Sequence, residues 1–71
     1  MNLDEMQKTE DKLGEIRAIL NPVDAPYICD VIINNISDEM LNDLIMDMMV
    51  KMGYNKKKIL KIAQIINQIQ S

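Results

Sequence analysis

Carboxylates are the side chains of this 71-residue chain whose spacing could support chemistry. Asp43 and Asp47 are four residues apart and so share one face of a predicted helix, and Asp38 and Glu39 lie near its start. Paired carboxylates can act as general acid and base or bind a hard cation. On an exposed helix this pattern is more typical of a solvated face. We therefore predict no catalytic residue, no metal site and no cofactor.

The other reactive residue types are few. There is no histidine, which rules out a Ser/His/Asp or Cys/His nucleophile site within one copy. The single cysteine, Cys29, lies in an apolar run, where we expect a buried side chain rather than a reactive thiol. It cannot form an internal disulfide, and the first residues lack the apolar run of a signal peptide. The expected location is the cytoplasm, and no stretch is long and apolar enough to predict a membrane span.

The elements that position these residues are predicted to be helices. The apolar periodicity favours an all-α fold, a small bundle of three to four short antiparallel helices. The first helix should end before Pro22. The second should begin at Asp24 as N-cap, with a hydrophobic staple between Val23 and Ile28. Ser37 is predicted to cap the third helix and to leave Asp38 and Glu39 in its first turn.

A glycine and an amide predict the remaining boundaries. Gly53 is placed to end the third helix in the left-handed conformation, and Asn55 to cap a fourth helix that runs to the chain end. We expect one helical domain over residues 1–71, with residues 1–8 frayed. The narrow apolar seam of the first helix allows it either to join the bundle or to project as an arm.

Acidic and basic residues are separated along the chain. All eleven acidic residues lie at or before Asp47, together with three basic residues, which gives this part a net charge of −8. Five lysines and no acidic residue follow, a net charge of +5. Such asymmetry usually concerns association rather than catalysis. The opposite charges could pair between two copies or within one.

The apolar surface also predicts association. The apolar arcs of the second to fourth helices look wider than a surface helix requires, and a domain of this size buries only about 60% of its unfolded surface. The methionines of the third helix could fill the core or form an adaptable binding groove. We expect binding to another protein, with a homodimer as the commonest way to cover such surface. The predicted partner-binding residues are Met46, Met49, Val50, Lys56, Lys57, Lys58, Lys61, Ile65 and Ile69.

Two interpretations of the function remain. Seven lysines against one arginine, with twelve isoleucines, suggest an AT-rich genome, and we predict a small regulator or inhibitor of phage, viral or mobile-element type. The second hypothesis is a nucleic-acid-binding regulator whose basic C-terminal helix contacts phosphates. Only Arg17 could contact a base in bidentate fashion, and two tyrosines offer little stacking surface. Protein binding is therefore favoured.

One short segment resembles a known family. Met52-Gly53-Tyr54 followed by a capped helix resembles the Met-Gly-Phe/Tyr loop and second helix of ubiquitin-associated domains. The resemblance implies that these three residues would contact ubiquitin or another partner. It covers only the C-terminal part of the chain, and the family's third helix has no room before Ser71. A C-cap glycine between two helices accounts for the same residues.

Overall fold

The structure, a computed structural model, describes residues 3–71 as four α-helices. They are α1 (Leu3–Ile19), α2 (Ala25–Asn34), α3 (Leu41–Met52) and α4 (Lys56–Gln70). The predicted all-α bundle is confirmed, and the described residues include no strand. None of these four helices is both long and apolar enough to cross a membrane.

Each helix packs against two neighbours, α1 on α2 and α4, and α3 on α2 and α4. At one end, the Tyr54 hydroxyl accepts a hydrogen bond from the Asn21 backbone N–H (3.0 Å) and donates one to Asp24 Oδ2 (2.6 Å). These bonds join the α3–α4 loop to the α1–α2 loop. At the other end, Gln70 Nε2 donates to the Ile36 carbonyl oxygen (3.1 Å), so α4 finishes beside the α2–α3 loop. Neighbouring helices therefore run antiparallel.

The first helix is part of the bundle rather than a projecting arm. Leu13 and Ile16 of α1 are completely buried, whereas Leu3 in its first turn is 78% exposed. The first turn therefore gains little from packing. The predicted fraying of residues 1–8 stays a prediction, and residues 1–2 of that segment lie outside the described residues.

The core is a single apolar cluster to which all four helices contribute, and among residues 3–71 no polar or charged side chain is buried. Full burial of an aliphatic side chain contributes about 1.5–3 kcal/mol, and these contacts are the main stabilising term. The largest completely buried side chains are Leu13, Ile16, Ile28, Ile32, Leu41, Ile45, Met49, Ile62 and Ile66.

The predicted start of the third helix is wrong. Ser37 is not its N-cap, because α3 begins at Leu41 with Met40 in the N-cap position. Asp38 Oδ1 accepts a hydrogen bond from the Met40 backbone N–H (2.9 Å). Asp and Asn side chains often form such local turns, which compete with helix formation. Asp38 and Glu39 therefore precede the helix instead of lying in its first turn.

The predicted staple at the start of α2 is also wrong. Val23 is 89% exposed and does not cover Ile28. Asp24 occupies the N-cap position, but its side chain makes no capping hydrogen bond. Pro26, in the first turn, has no N–H to offer, and the Asp24 carboxylate instead accepts the Tyr54 hydroxyl.

Two local predictions are confirmed where α3 ends and α4 begins. Gly53 has φ = 91°, in the left-handed region, and its N–H donates to the Val50 carbonyl oxygen (3.1 Å). Asn55 caps α4 through Oδ1, which accepts from the Lys58 N–H (2.9 Å). Residues 53–55 form the turn between α3 and α4, and this short connection sets the two helices side by side.

Candidate functional site

The lysine cluster, Lys56–Lys58 and Lys61, occupies the first two turns of α4. All four side chains are exposed, and within the described residues none forms an ion pair. The described ion pairs are formed by other lysines: Lys12 with Glu15 (3.2 Å) and Lys51 with Asp47 (2.9 Å). Within the described part of the molecule, the positive charge of the lysine cluster is therefore not neutralised by ion pairs.

The cluster lies where its charge opposes the helix. The N-terminus of a helix has a partial positive charge, and a cation there destabilises it by about 0.3–1 kcal/mol at low salt. No acidic residue occupies the first turn of α4 to offset Lys56–Lys58. Stabilisation of this end comes from the Asn55 cap and from the buried Ile59 and Ile62. The placement of the lysines does not serve the stability of α4.

A side-chain amide sets the register of α3 against α4. Asn42 Nδ2 donates to the Ala63 carbonyl oxygen (3.1 Å) and to Asn67 Oδ1 (2.7 Å). Met46 and Val50 follow Asn42 at intervals of four residues, so they lie on the same stripe of α3. The two helices run antiparallel. Met46 and Val50 therefore lie opposite the part of α4 that precedes Ala63.

An apolar strip consequently lies beside the lysines. Leu60 and Lys56 precede Ala63 by three and seven residues and so lie on the stripe of α4 that faces Met46 and Val50. Val50 is 63% exposed, Leu60 is 45% exposed and Met46 is half-buried. We call this region the α3–α4 surface and define it by Met46, Val50, Leu60 and Lys56, with Lys57 and Lys61 on the neighbouring stripe of α4 at its rim, towards α1.

A shallow crevice borders the lysine cluster on its other side. It has a volume of about 420 Å³ and lies between the C-terminal half of α1 and the start of α4. Ala18 and Ile19 contribute its apolar wall, and Lys57, Lys58 and Lys61 line the opposite side. The Nζ atom of Lys58 also lies 6.0 Å from the centre of the Tyr54 ring. Three cations thus border one concave region.

The structure separates the predicted partner-binding residues into three groups. Met49 and Ile65 lie in the core, where a partner cannot reach them in this conformation. Ile69 is half-buried near the end of α4, beside the first turns of α1 and at the opposite end of α4 from the lysine cluster. The third group contains Met46 and Val50 with Lys56 on the α3–α4 surface, and Lys57, Lys58 and Lys61 beside them, where they line the crevice against α1. The prediction omitted Leu60, although its position outside the buried arc of α4 could have identified it.

The remaining reactive groups do not form a site in the described part of the chain. Cys29 is buried, as predicted, and burial raises the pKa of its thiol. Asp47 is paired with Lys51, and no three acidic, cysteine or histidine side chains among residues 3–71 are placed to bind a metal ion. The Tyr54 hydroxyl is bonded to Asp24 and the Asn21 N–H, which gives this residue a structural role.

Comparison with protein-family models, with curated proteins and with solved structures finds no match for this chain. A function can therefore be argued only from the geometry of the chain itself.

Proposed function

We propose that the chain is a non-enzymatic regulator or inhibitor, of phage, viral or mobile-element type, that binds an acidic protein in the cytoplasm and acts as a homodimer. One observation supports this proposal above the others. The lysine cluster has no ion pair among the described residues, opposes the dipole of its own helix and adjoins exposed apolar side chains. Cations in such a place are better explained by an external anionic partner than by folding.

The α3–α4 surface has the composition of a small protein interface. Apolar side chains lie at its centre and charged side chains at one rim. Covering the exposed parts of Val50 and Leu60 would contribute about 2 kcal/mol, and the rest of the affinity must come from contacts around them. The rim lysines would mainly accelerate association and select an acidic partner.

A peptide selection followed by a charge-matched comparison tests this proposal. Peptides from a random display library are selected on the immobilised protein, and the dissociation constants of the enriched peptides are measured by fluorescence anisotropy. We expect acidic peptides with apolar residues. The double variant Lys57→Glu/Lys61→Glu should weaken their binding at least tenfold.

The control changes the net charge by the same amount at another place. Lys8→Glu/Arg17→Glu reverses two exposed α1 side chains that form no ion pair in the described structure. This variant should weaken binding less than threefold. An equal loss in both double variants would mean that only the net charge matters, and enrichment of basic or uncharged peptides would contradict the proposal.

The same lysines, which form no ion pair with other described residues, support a second candidate function, a nucleic-acid-binding regulator in which α4 contacts the phosphate backbone. Contact with three phosphates of duplex DNA predicts that log K falls against log[salt] with a slope of about −2.7. The slope is measured with a labelled duplex. Absence of binding at low salt would eliminate this candidate, whereas tight binding with that slope would favour it over an acidic protein.

A further inference from the structure

The side of the bundle formed by α2 and α3 is the second unusual surface of the molecule. Ile33 of α2 faces α1, because it lines a cavity of about 210 Å³ with α1 residues that include Met6 and Leu13. Tyr27 and Val31 lie on the other side of α2 and therefore face α3. Tyr27 is 59% exposed and Val31 is half-buried.

The matching side of α3 is an apolar ridge. Asn42 and Met46 mark the side of α3 that faces α4, so Leu44 and Met48 lie on the side that faces α2. Met52 follows at the same four-residue interval. Leu44 is 41% exposed, Met52 is 39% exposed and Met48 is half-buried. This ridge and Tyr27 leave apolar area uncovered on a single copy.

The charges beside this ridge indicate what covers it. Asp47 and Lys51 lie on the outer edge of the ridge, one turn apart, and they form an ion pair of 2.9 Å. The two charges cancel, and each is more than half exposed. A two-fold axis that passes beside α3 at the level of Met48, perpendicular to the helix, would set α3 antiparallel to its copy. Leu44 would then lie against Met52 of the second copy.

The same axis exchanges the charged residues. Asp47 and Lys51 are about 6 Å apart along the helix, on either side of the axis. Each therefore lies within reach of the opposite charge on the second copy. Asp47 of each copy would face Lys51 of the other copy. A symmetric homodimer interface requires a surface that is complementary to itself in this way.

The available area is of the right order. A stable interface of standard size buries about 800 Å² on each partner. This is about one sixth of the 4798 Å² surface of the chain, and a four-helix bundle has four long sides and two ends. One long side can therefore supply it.

We propose that a second copy of this chain binds the α2–α3 side through antiparallel pairing of α3 around Met48. The inference deepens the homodimer part of the proposed function and names its interface. It leaves the α3–α4 surface of both copies open to an acidic partner, since that surface lies on a different side of the bundle. Failure of the dimer would therefore leave the peptide-binding experiment unaffected.

Molar mass in solution tests the interface. By sedimentation equilibrium at about 50 µM and moderate salt, the wild-type chain should have about twice its monomer mass of 8.2 kDa. Leu44→Glu should give a monomer, because the dimer would bury an unpaired charge, and the dissociation constant should rise more than 100-fold. Val50→Glu, on the side of α3 nearer α4, is the matched control and should remain dimeric.

A charge exchange tests the symmetry itself. Asp47→Lys and Lys51→Asp each place like charges across the axis, and each should raise the dissociation constant about tenfold. The double variant Asp47→Lys/Lys51→Asp restores both pairs and should return to within about threefold of wild type. Circular dichroism of every variant establishes that the helices are retained.

Three results would overturn the proposal. The first is a wild-type chain that remains at its monomer mass of 8.2 kDa at about 50 µM. The second is equal dissociation of the Val50→Glu and Leu44→Glu variants. The third is a charge-exchanged double variant no tighter than the two single variants.

Discussion

Replacement of Tyr54 by phenylalanine should destabilise the bundle through the loss of one hydroxyl group. In the wild-type chain this hydroxyl donates to Asp24 Oδ2 at 2.6 Å and accepts from the Asn21 N–H at 3.0 Å, and it thereby joins two loops. The substitution keeps the aromatic ring. Packing should therefore change little, and the effect should report the hydrogen bonds.

The expected size follows from the two bonds. A hydrogen bond to a charged group contributes about 1.5–3 kcal/mol, and the partial exposure of Asp24 favours the lower end. In the variant, the backbone N–H of exposed Asn21 can form a hydrogen bond with water instead, so the loss of its bond to Tyr54 adds little to the change in stability. We expect the free energy of unfolding to fall by about 1.5 kcal/mol, which lowers Tm by about 6–12 °C in a chain of this length.

The difference between Tyr54→Phe and the wild type should also depend on pH. Burial, followed by the hydrogen bond to Asp24, raises the pKa of Tyr54 in the folded state. In the unfolded chain, the pKa of a tyrosine is about 10. Below that pH the stabilisation by the hydroxyl is fully present, and it is lost as the pH rises through the higher folded-state pKa. The advantage of the wild type should therefore shrink above about pH 10.

Urea unfolding followed by circular dichroism at pH 7 and across the alkaline range gives both quantities. Tyr27→Phe is the matched control, because Tyr27 is 59% exposed and its hydroxyl forms no hydrogen bond with the described residues. This control should change stability by less than about 0.5 kcal/mol. Equal stability of Tyr54→Phe and wild type at pH 7, or a difference that grows above pH 10, would refute the reasoning.

Four further substitutions test three individual features by urea unfolding. Gly53→Ala should lower the stability by about 1–2 kcal/mol through backbone strain alone, because φ is 91° and no atom crowds the added Cβ; an unchanged midpoint would contradict the strain. Met49→Ala should lower the free energy of unfolding by about 2–5 kcal/mol, because it opens a cavity in the core. Met52→Ala, at a 39% exposed position, should lower it by less than about 1.5 kcal/mol. Similar losses for the two variants would place Met49 outside the core. Lys56→Glu should raise the stability by several tenths of a kcal/mol at low salt and weaken binding of acidic peptides. A loss of stability would show that the lysine does not oppose the helix dipole.

Local features of the fold were predictable where one residue determines the backbone. Gly53 and Asn55 were predicted correctly because a left-handed C-cap and an amide N-cap depend on neighbours within one turn. The prediction for Ser37 failed because Asp38, the next residue, forms a competing turn. The side chain of Asp24 does not cap α2, because its partner is Tyr54, thirty residues away. No pattern within one helix predicts that contact.

The candidate surface was predictable in part. Hydrophobic periodicity identifies the apolar arc of a helix, but the arc of α3 includes both buried Met49 and exposed Val50. Which end of the arc is covered depends on where α2 and α4 pack, and this is set by long-range contacts such as those of Asn42. Charge was easier to predict, because exposed lysines such as Lys57 need no neighbour to remain at the surface.

The most direct test of the central claim is a map of amide chemical-shift changes, by two-dimensional NMR, as an acidic peptide from the selection is added to the protein. The proposal predicts that the changes concentrate at Val50, Leu60 and the lysine cluster and leave Lys8 and the Leu44 side of α3 unchanged. Changes spread evenly over all lysines, or confined to the α2–α3 side, would contradict the assignment of the α3–α4 surface as the binding site.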